Sequence, residues 1–447
     1  MTHSAERRRR FGASVRRRAL GRGRSRRILL ALVAPILALV LMCAACTGKT
    51  TNGSGASAVA NTGRNSTSPS AAASSESAPV PDPIVTITPA SAAGLDPVTP
   101  ITVSVADGTI TAVTLVNSEG KAVTGALGAG ATSWQNTEDL GYSKTYRLSV
   151  AAVNTAGKAV TKDSTFTTLT PGNMTMPYLQ RPGGYTLDNG ATYGVGIVPV
   201  VHFDEQITDR KAAQQALIVN TTPHVDGVWS WIDSQNVHWR PKDYLPTGTS
   251  VQVTAKVYGV RVGPGLYGQA NQSVTFRIGA KHVSIADDKT HTVKVYFSDK
   301  LVRIMPTSMG QGGYVTGTGG QQIALWTMPG TYTVLTHENP AIMSSDSYGL
   351  PANSAKGYPP EPVYWATKIS VDGIYLHELD TTVWAQGNTD VSHGCLNLNH
   401  DNAMWYYQNA LVGDVVTVIN TGGPGIQVWQ NGDWSVPWST WVRGSAA

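Results

Sequence analysis

The sequence predicts a mainly β protein in which two tandem immunoglobulin-like β-sandwich modules precede a mostly β C-terminal domain with one or two short helices. From residue 84 to about residue 279, apolar and polar residues alternate with a period of two in short runs such as ITVSVADG and VQVTAKV. Gly, Asn and Asp separate these runs, as expected for strands joined by turns. A convincing helical pattern is found in one stretch, near residue 400.

Residues 1–46 form a predicted secretory leader. An arginine-rich run precedes an apolar stretch, Ile28–Met42, whose 15 residues are fewer than the roughly 20 that a membrane-spanning helix needs. The segment SRRILL, Ser25–Leu30, resembles a twin-arginine signal. Cys46 resembles the lipidated cysteine of a bacterial lipobox, although Cys43 stands where leucine is usual. An uncleaved anchor and ordinary cleavage are the alternatives, and all three place the body outside the cytoplasmic membrane.

The leader accounts for the basic character of the chain. The 447 residues include 34 Lys and Arg against 29 Asp and Glu, a formal net charge of +5. Residues 1–46 contain 11 arginines and one glutamate, which leaves 23 basic and 28 acidic side chains in the remainder. No basic stripe remains, so nucleic-acid partners are not expected. Residues 47–82 consist mostly of Ser, Ala, Gly, Thr and Pro and are predicted to be a disordered tether.

The period-two region divides into module 1, residues 83–171, and module 2, residues 172–280. The modules resemble each other weakly, because Trp134 and Trp239 each lie six residues before a leucine and a strand follows. Tryptophans in small sandwiches are most often found in the core or in module contacts. A sugar-stacking face is the alternative for a group of three: Trp229, Trp231 and Trp239.

Residues 281–420 are predicted to form the third domain. Strand patterns occur near both of its ends, and a helix is expected over about residues 400–411 with Asn399 as its N-cap. The tail, residues 421–447, carries four tryptophans within 13 residues. A segment this aromatic is expected to pack against the body, although its partner cannot be chosen from the sequence.

Cys395 is the only cysteine after residue 46, so the exported body has no disulfide partner for it. A thiol with its usual pKa of about 8.5 is only a few per cent ionised at neutral pH, and an imidazole that takes its proton makes it a strong nucleophile. We expect Ser392, His393 and Gly394 to fix the loop before it, with backbone N–H groups placed to bind an oxyanion. His377, 18 residues upstream, would by itself be interpreted as a structural histidine.

These residues together resemble a known signature. The stretch HELDTTVWAQGNTDVSHGCLNL has a histidine, a spacer and then Ser-His-Gly-Cys followed by Leu and Asn. It resembles the L,D-transpeptidase catalytic domain of bacterial peptidoglycan synthesis, and the resemblance extends over residues 305–420. The order of leader, two modules, catalytic domain and C-terminal segment resembles the actinobacterial branch of that family.

The resemblance implies a reaction and its residues. Cys395 would attack the third residue of a stem tetrapeptide, a meso-diaminopimelate, release D-alanine and form a thioester. The side-chain amine of a second stem would then attack and form a 3→3 cross-link. His377 would be the general base and later the proton donor, and His393 would orient the loop. Residues 344–364 would form a lid, and the implied substrate-binding residues are Tyr358, Met343, Trp384 and Asn397.

One position departs from the family pattern. Some relatives have Ser directly after the histidine, where this chain has Glu378. On an extended strand the Glu378 side chain points to the face opposite that of His377. The group that orients the imidazole is therefore left open between a backbone carbonyl and a bent-back Glu378 side chain.

Other classes of protein remain alternatives at this point. Papain-like and sortase-like hydrolases also use Cys and His, but a sortase has arginine after its cysteine, where this chain has Leu396. Zinc sites normally have tighter ligand spacings, so neither a metal nor a cofactor is expected. A non-catalytic wall-binding protein is the alternative from a different class.

The resemblance also implies partners and a location. The expected partners are donor and acceptor stem peptides, carbapenem β-lactams that acylate the thiol, and the membrane through a lipid anchor. The expected location is the outer face of the cell membrane, with the body reaching into the cell wall. The sequence does not separate a transpeptidase from a carboxypeptidase, because both share the same acyl-enzyme.

Overall fold

The computed structural model of the protein describes residues 78–447. The predicted leader, the proposed lipidation site at Cys46 and most of the predicted tether lie outside these residues. Across the described part of the chain, no helix has the length and apolar character needed to cross a membrane.

Module 1 is a β-sandwich, as the alternation of its sequence predicts. Its strands are Ile84–Thr88 (β1), Thr102–Ala106 (β2), Thr109–Asn117 (β3), Gly125–Leu127 (β4), Ser133–Asn136 (β5), Thr145–Val153 (β6) and Ala159–Thr167 (β7). One sheet has the order β1-β2-β5-β4 and the other has the order β3-β6-β7. Alternate side chains of the two sheets meet in a core that includes Val103 and Leu148, both fully buried.

Module 2 is a second sandwich with a larger core. Its strands are Asn173–Thr175 (β8), Pro177–Arg181 (β9), Tyr185–Thr186 (β10), Thr192–Tyr193 (β11), Val200–Phe203 (β12), Leu217–Thr222 (β13), Gly227–Trp231 (β14), Asn236–Pro241 (β15), Ser250–Ala255 (β16), Arg261–Gly263 (β17), Leu266–Gly268 (β18) and Gln272–Ile278 (β19). The main sheets are ordered β10-β9-β12-β15-β14 and β11-β19-β16-β13. Trp229, Trp231 and Trp239 are buried in the core between them, which removes the sugar-stacking alternative. A short helix that the sequence did not predict, Arg210–Gln215 (α1), is capped by the Asp209 carboxylate.

The two modules share one detail of construction. The Trp134 ring lies directly over Gly125, and the Trp239 ring lies over Gly227; a Cβ on either glycine would lie 2.1 Å from the ring. In each module the glycine pairs with the residue two positions after the tryptophan. The weak sequence likeness of the modules therefore reflects the same tryptophan-on-glycine packing.

The third domain is built around two sheets. Its strands are His282–Asp287 (β20), Thr292–Phe297 (β21), Lys300–Pro306 (β22), Tyr314–Thr316 (β23), Gln322–Ala324 (β24), Gly330–Thr333 (β25), Thr336–Glu338 (β26), Ala341–Met343 (β27), Glu361–Val363 (β28), Ala366–Lys368 (β29), Tyr375–Glu378 (β30), Leu396–Leu398 (β31) and Val415–Ile419 (β32). The larger sheets are ordered β22-β21-β20-β32-β25 and β26-β29-β30-β31.

The predicted helix is His400–Asn409 (α2), and the Asn399 side chain accepts a hydrogen bond from the Asn402 N–H, as its N-cap role requires. The helix ends two residues before the predicted position because Ala410 takes an extended conformation.

Module 2 and the third domain are joined through their backbones. The Gly194 N–H donates to the Val412 carbonyl at 2.7 Å, and the Gly196 N–H donates to the Gly413 carbonyl at 2.9 Å. A Cβ on Gly194 would lie 2.2 Å from the Asp414 nitrogen, so the close approach requires glycine. The sequence pattern contains no sign of this joint.

The tail lies against both module 2 and the third domain, to which Asn431 donates at the Thr333 and Ile369 carbonyls. Its helix, Trp438–Arg443 (α3), contacts β14, and the Trp441 side chain is fully buried. The Trp441 indole N–H donates to the Val228 carbonyl at 2.9 Å, and that of Trp434 donates to the Gly196 carbonyl at 2.7 Å. Trp429 is the exception, because its side chain is 62% exposed.

Candidate active site

The pairing of β30 with β31 brings the two reactive residues together. The strands are parallel, and His377 lies opposite Asn397 in their register. Side chains alternate between the faces of a sheet, so Cys395, two residues before Asn397, is directed to the same face as His377. The 17 residues between His377 and Cys395 therefore form the crossover that brings thiol and imidazole to the same cleft.

The Cys395 thiol is uncharged in this environment. Burial raises its pKa to about 11; the Tyr375 backbone N–H opposes this effect, and the Asp372 carboxylate adds to it. With that pKa, the resting thiol is protonated at pH 7. The thiol donates to the Gly373 carbonyl, with sulfur and oxygen 3.6 Å apart. It must therefore turn away from Gly373 before another group can take its proton.

The His377 imidazole is neutral and correctly oriented for a base. Its Nδ1 lies 2.9 Å from the Glu378 backbone carbonyl, which can only accept, so Nδ1 carries the proton and Nε2 keeps a free lone pair. Burial lowers the pKa of His377, and the carbonyl opposes this effect. The orienting group left open by the sequence is thus the carbonyl. The Glu378 side chain lies on the other face, where its carboxylate is 3.1 Å from Nδ1 of His400.

Short hydrogen bonds fix the loop before the thiol. The Ser392 hydroxyl donates to the Cys395 carbonyl at 2.6 Å, and the Thr327 hydroxyl donates to the Gly394 carbonyl at 2.8 Å. Gly394 has φ of +139°, a conformation that favours glycine. Its N–H donates to the Ser392 hydroxyl at 3.1 Å, so it is engaged at rest instead of being free for an oxyanion.

His393 connects this loop to the lid. Its Nε2 lies 2.7 Å from the carbonyl of Lys356, within the predicted lid, and its ring packs against Tyr358 with centroids 5.2 Å apart. Ser345 holds the other end of the lid, because its hydroxyl accepts from the Tyr358 N–H at 2.9 Å. Burial lowers the pKa of His393 and raises that of Tyr358, so both are uncharged at neutral pH.

A cleft of about 180 Å³ joins these groups. Seven of the residues predicted from the sequence line it: Met343, Tyr358, His377, Ser392, His393, Cys395 and Asn397. Gly394 is buried beside it. The side-chain oxygen of Asn397 is buried without a hydrogen-bond partner among the described residues, which suits a group that waits for substrate.

Trp384 does not line the cleft, and its predicted role there is wrong. The turn after Asp380–Thr382 places Thr382 in the cleft wall but directs Val383 and Trp384 outward, and the Trp384 side chain is 68% exposed. A motif position specifies the residue type but not the direction that a short turn gives to its side chain.

Several residues of the site were missed by the sequence reasoning. Glu361 and Val363, on the strand near the end of the predicted lid, line the cleft, and Gly373 supplies the carbonyl that holds the thiol. The one available signal was the position of Glu361 within the predicted lid, in the run YPPEP.

A larger cavity, of about 760 Å³, lies between module 2 and the tail. Its walls include Arg240, Tyr244 and Trp438, and it contains neither the thiol nor an imidazole. We place the chemistry in the smaller cleft, because the nucleophile and the base are there.

Comparison with known proteins agrees with this geometry. Residues 281–418 match the family described as the L,D-transpeptidase catalytic domain, and residues 92–261 match a bacterial Ig domain. The chain is 39% identical to L,D-transpeptidase 2 of Mycobacterium tuberculosis, over 79% of this chain and 83% of that protein. It is 37% identical to L,D-transpeptidase 5 of the same species, over 82% of this chain and 78% of that protein.

Solved structures show a similar partial likeness. L,D-transpeptidase 3 of Mycobacterium tuberculosis in complex with a faropenem-derived adduct is 31% identical, covers 52% of this chain and 95% of that chain, and has a TM-score of 0.42. The two sandwich modules, the catalytic domain and the extent of the sequence identity together show that the chain belongs to the L,D-transpeptidase family.

Proposed function

We propose that the protein forms 3→3 cross-links between peptidoglycan stems through a thioester on Cys395. The observation that carries this proposal is the convergence of the Cys395 thiol and the His377 imidazole, whose Nε2 is free to accept a proton, in a single cleft beside the paired strands β30 and β31. The stem peptides are the substrates proposed for this cleft.

The first half-reaction acylates the enzyme. The thiol turns from Gly373 and passes its proton to Nε2 of His377 as sulfur attacks the carbonyl of the third residue of the donor stem. The C–S bond forms, the C–N bond to D-alanine breaks, and the leaving nitrogen takes the proton from His377. Since thiol and imidazole both start neutral, proton transfer accompanies the attack and no thiolate has to persist in the resting enzyme.

The second half-reaction releases the product. The amine of an acceptor stem attacks the thioester carbonyl, the C–S bond breaks, and His377 takes a proton from the amine and returns it to sulfur. Attack by water in place of the amine would give a carboxypeptidase on the same scaffold. The balance between transpeptidation and hydrolysis depends on how well the cleft retains an acceptor amine.

The test is product analysis with a disaccharide tetrapeptide and a chain that begins at residue 78. We expect release of D-alanine and a 3→3 dimer from the natural sequence, and neither product from Cys395→Ala. Release of D-alanine with free tripeptide alone would establish a carboxypeptidase instead. No reaction in either protein would contradict the proposal and favour a wall-binding role.

We also propose that carbapenem β-lactams inhibit the enzyme at the same thiol. The strained lactam carbonyl would accept the sulfur, the lactam C–N bond would open, and the nitrogen would take the thiol proton through His377. One acyl group per chain is expected by intact-protein mass spectrometry. Absence of the mass shift, or a shift that persists in Cys395→Ala, would contradict this assignment.

The proposed location is the outer face of the cell membrane, with attachment through a lipid on Cys46. The support is the leader pattern of the sequence alone. Fractionation of cells that produce Cys46→Ser tests it. We expect the variant to leave the membrane fraction for the soluble fraction, and an unchanged distribution would exclude the lipid anchor.

A further inference from the structure

The cleft contains one charge, and it is negative. The thiol of Cys395 and the imidazoles of His377 and His393 are uncharged near neutral pH, because burial shifts each pKa toward the neutral form. Among the described residues that line the cleft, Glu361 supplies the one carboxylate. No Lys, Arg or His of the described residues lies within 4.0 Å of that carboxylate. The carboxylate is therefore available to a positively charged ligand.

The backbone holds Glu361 in position. In the antiparallel hairpin of β27 and β28, Glu361 pairs with Met343, so their side chains lie on the same face and both line the cleft. Glu361 is the fourth residue of the run Tyr-Pro-Pro-Glu-Pro, between Pro360 and Pro362. The prolines on both sides restrict the backbone, so the position of the Glu361 Cα and Cβ at the cleft is fixed before a ligand binds.

We infer that Glu361 selects the acceptor, by binding the ammonium group of the incoming stem. This inference rests on the proposed function and goes beyond it, since it names the group that separates amine transfer from hydrolysis. The free end of a diaminopimelate side chain carries an ammonium and a carboxylate. A single negative charge in the cleft draws the ammonium in and turns the carboxylate away.

The chemistry requires the bound ammonium to become an amine. It loses one proton to solvent, and the neutral nitrogen attacks the thioester carbonyl. The N–C bond forms, the C–S bond breaks, and the second proton passes through His377 to the sulfur. Glu361 takes no part in these bond changes, so its loss should weaken acceptor binding and have little effect on the rate of acylation at saturating donor.

The test uses the full-length protein in detergent and the variant Glu361→Gln, which keeps the shape and removes the charge. The donor is a disaccharide tetrapeptide, and the acceptor is an isotope-labelled tripeptide stem, which has no D-alanine to release. We expect the KM for the acceptor to rise about two- to fivefold, as for other solvent-accessible ion pairs, and its dependence on salt to weaken. The rate of acylation by the donor alone should stay within about twofold of the natural rate.

Two controls test whether the effect comes from the charge of Glu361 in the cleft. The alternatives are a change in the net charge of the protein and a change in the reactivity of the acyl-enzyme. Asp226→Asn removes a charge from an exposed side chain of module 2 and should leave the acceptor KM unchanged. Hydroxylamine, uncharged near neutral pH, should intercept the acyl-enzyme equally well in the natural protein and in Glu361→Gln.

The possible results are distinct. An unchanged acceptor KM, an equal effect of Asp226→Asn, or a parallel change in acylation by the donor would each overturn the role of Glu361. Failure of the natural protein to acylate at all would overturn the proposed function instead.

Discussion

The cleft and the contact between module 2 and the tail, called the tail interface below, each contain a buried histidine. The two histidines differ in the group to which Nδ1 is hydrogen-bonded. Nδ1 of His377 lies 2.9 Å from a backbone carbonyl, whereas Nδ1 of His238 lies 2.7 Å from the carboxylate of Asp433 in the tail. The comparison teaches that the His238 imidazole serves to connect module 2 to the tail through Asp433, while the cleft leaves a neutral base free to accept a proton.

Arg240 shows the same property of the interface. Its guanidinium lies 4.9, 5.4 and 4.5 Å from the ring centroids of Trp434, Trp438 and Trp441. It also donates to the Val436 carbonyl at 2.6 Å. The arginine thus joins module 2 to three of the four tail tryptophans.

The largest expected effect is on the cleft side, from His377→Gln. Loss of the general base should lower the acylation rate by about 10² to 10⁴-fold. The measurement is the rate of acyl-enzyme formation with the tetrapeptide donor, monitored by intact-protein mass spectrometry. His393→Gln is the matched control, since that imidazole contacts the lid carbonyl, and we expect a drop of less than about tenfold. Equal losses in both variants would contradict the assignment of the base.

On the interface side, Arg240→Met should destabilise the protein and leave the chemistry unchanged. The variant loses the hydrogen bond to Val436 and the contacts with three rings, at a cost of about 2–4 kcal/mol. Urea unfolding measures the loss, and acylation per folded molecule should match that of the natural protein. The control is Arg443→Met, in the tail helix but away from this cluster. A fall in acylation that exceeds the unfolded fraction would show that the two regions are coupled.

Gly394→Ala should lower both the stability of the protein and the rate of acylation. Gly394 has a positive φ and lies within the loop that precedes the nucleophile. At φ of +139°, a side chain costs about 1–3 kcal/mol, and relaxation of the loop would move the thiol. We expect lower stability together with about a tenfold or greater loss of acylation. Gly190→Ala, at φ of +78° in module 2, should lower stability alone. Unimpaired acylation in Gly394→Ala would mean that the loop geometry does not limit the reaction.

The smallest expected effect concerns Asp288, whose carboxyl interacts with Asp390, two residues before Ser392 of the nucleophile loop. Burial, followed by the hydrogen bond to Asp390, raises the pKa of Asp288 to about 7. A carboxyl whose pKa is higher in the folded state adds stability below its unfolded pKa, and that stability is lost as the pH rises through 7. Asp288→Asn should therefore flatten the fall in the free energy of unfolding between pH 5 and 8, measured by urea unfolding, by less than about 1 kcal/mol given solvent screening. An unchanged slope in the variant would contradict the shifted pKa.

The parts predicted from the sequence were those with a strong local signal. Strand alternation predicts the sandwiches, and Asn399 predicts the start of α2. The spacing of His377 and Cys395 led, through the family resemblance, to the prediction that they act together, and the structure places both in one cleft. The helices α1 and α3 have six residues each, too few for a periodic pattern.

The rest depends on contacts between distant residues. Glu378 meets His400 only because α2 begins beside β30, and Arg240 meets the tail about 195 residues later. The outward direction of Trp384 follows from one turn of the chain. None of these contacts leaves a pattern that a single sequence displays.

The most direct test of the account is to find the atom that carries the acyl group. The donor tetrapeptide is added without an acceptor, the reaction is stopped by acid, and the digested protein is mapped by mass. We predict one tripeptide acyl group on the peptide that contains Cys395, formed much more slowly in His377→Gln and absent in Cys395→Ala. An acyl group on another residue, or dimer formation by Cys395→Ala, would contradict the central claim that this thiol is the nucleophile.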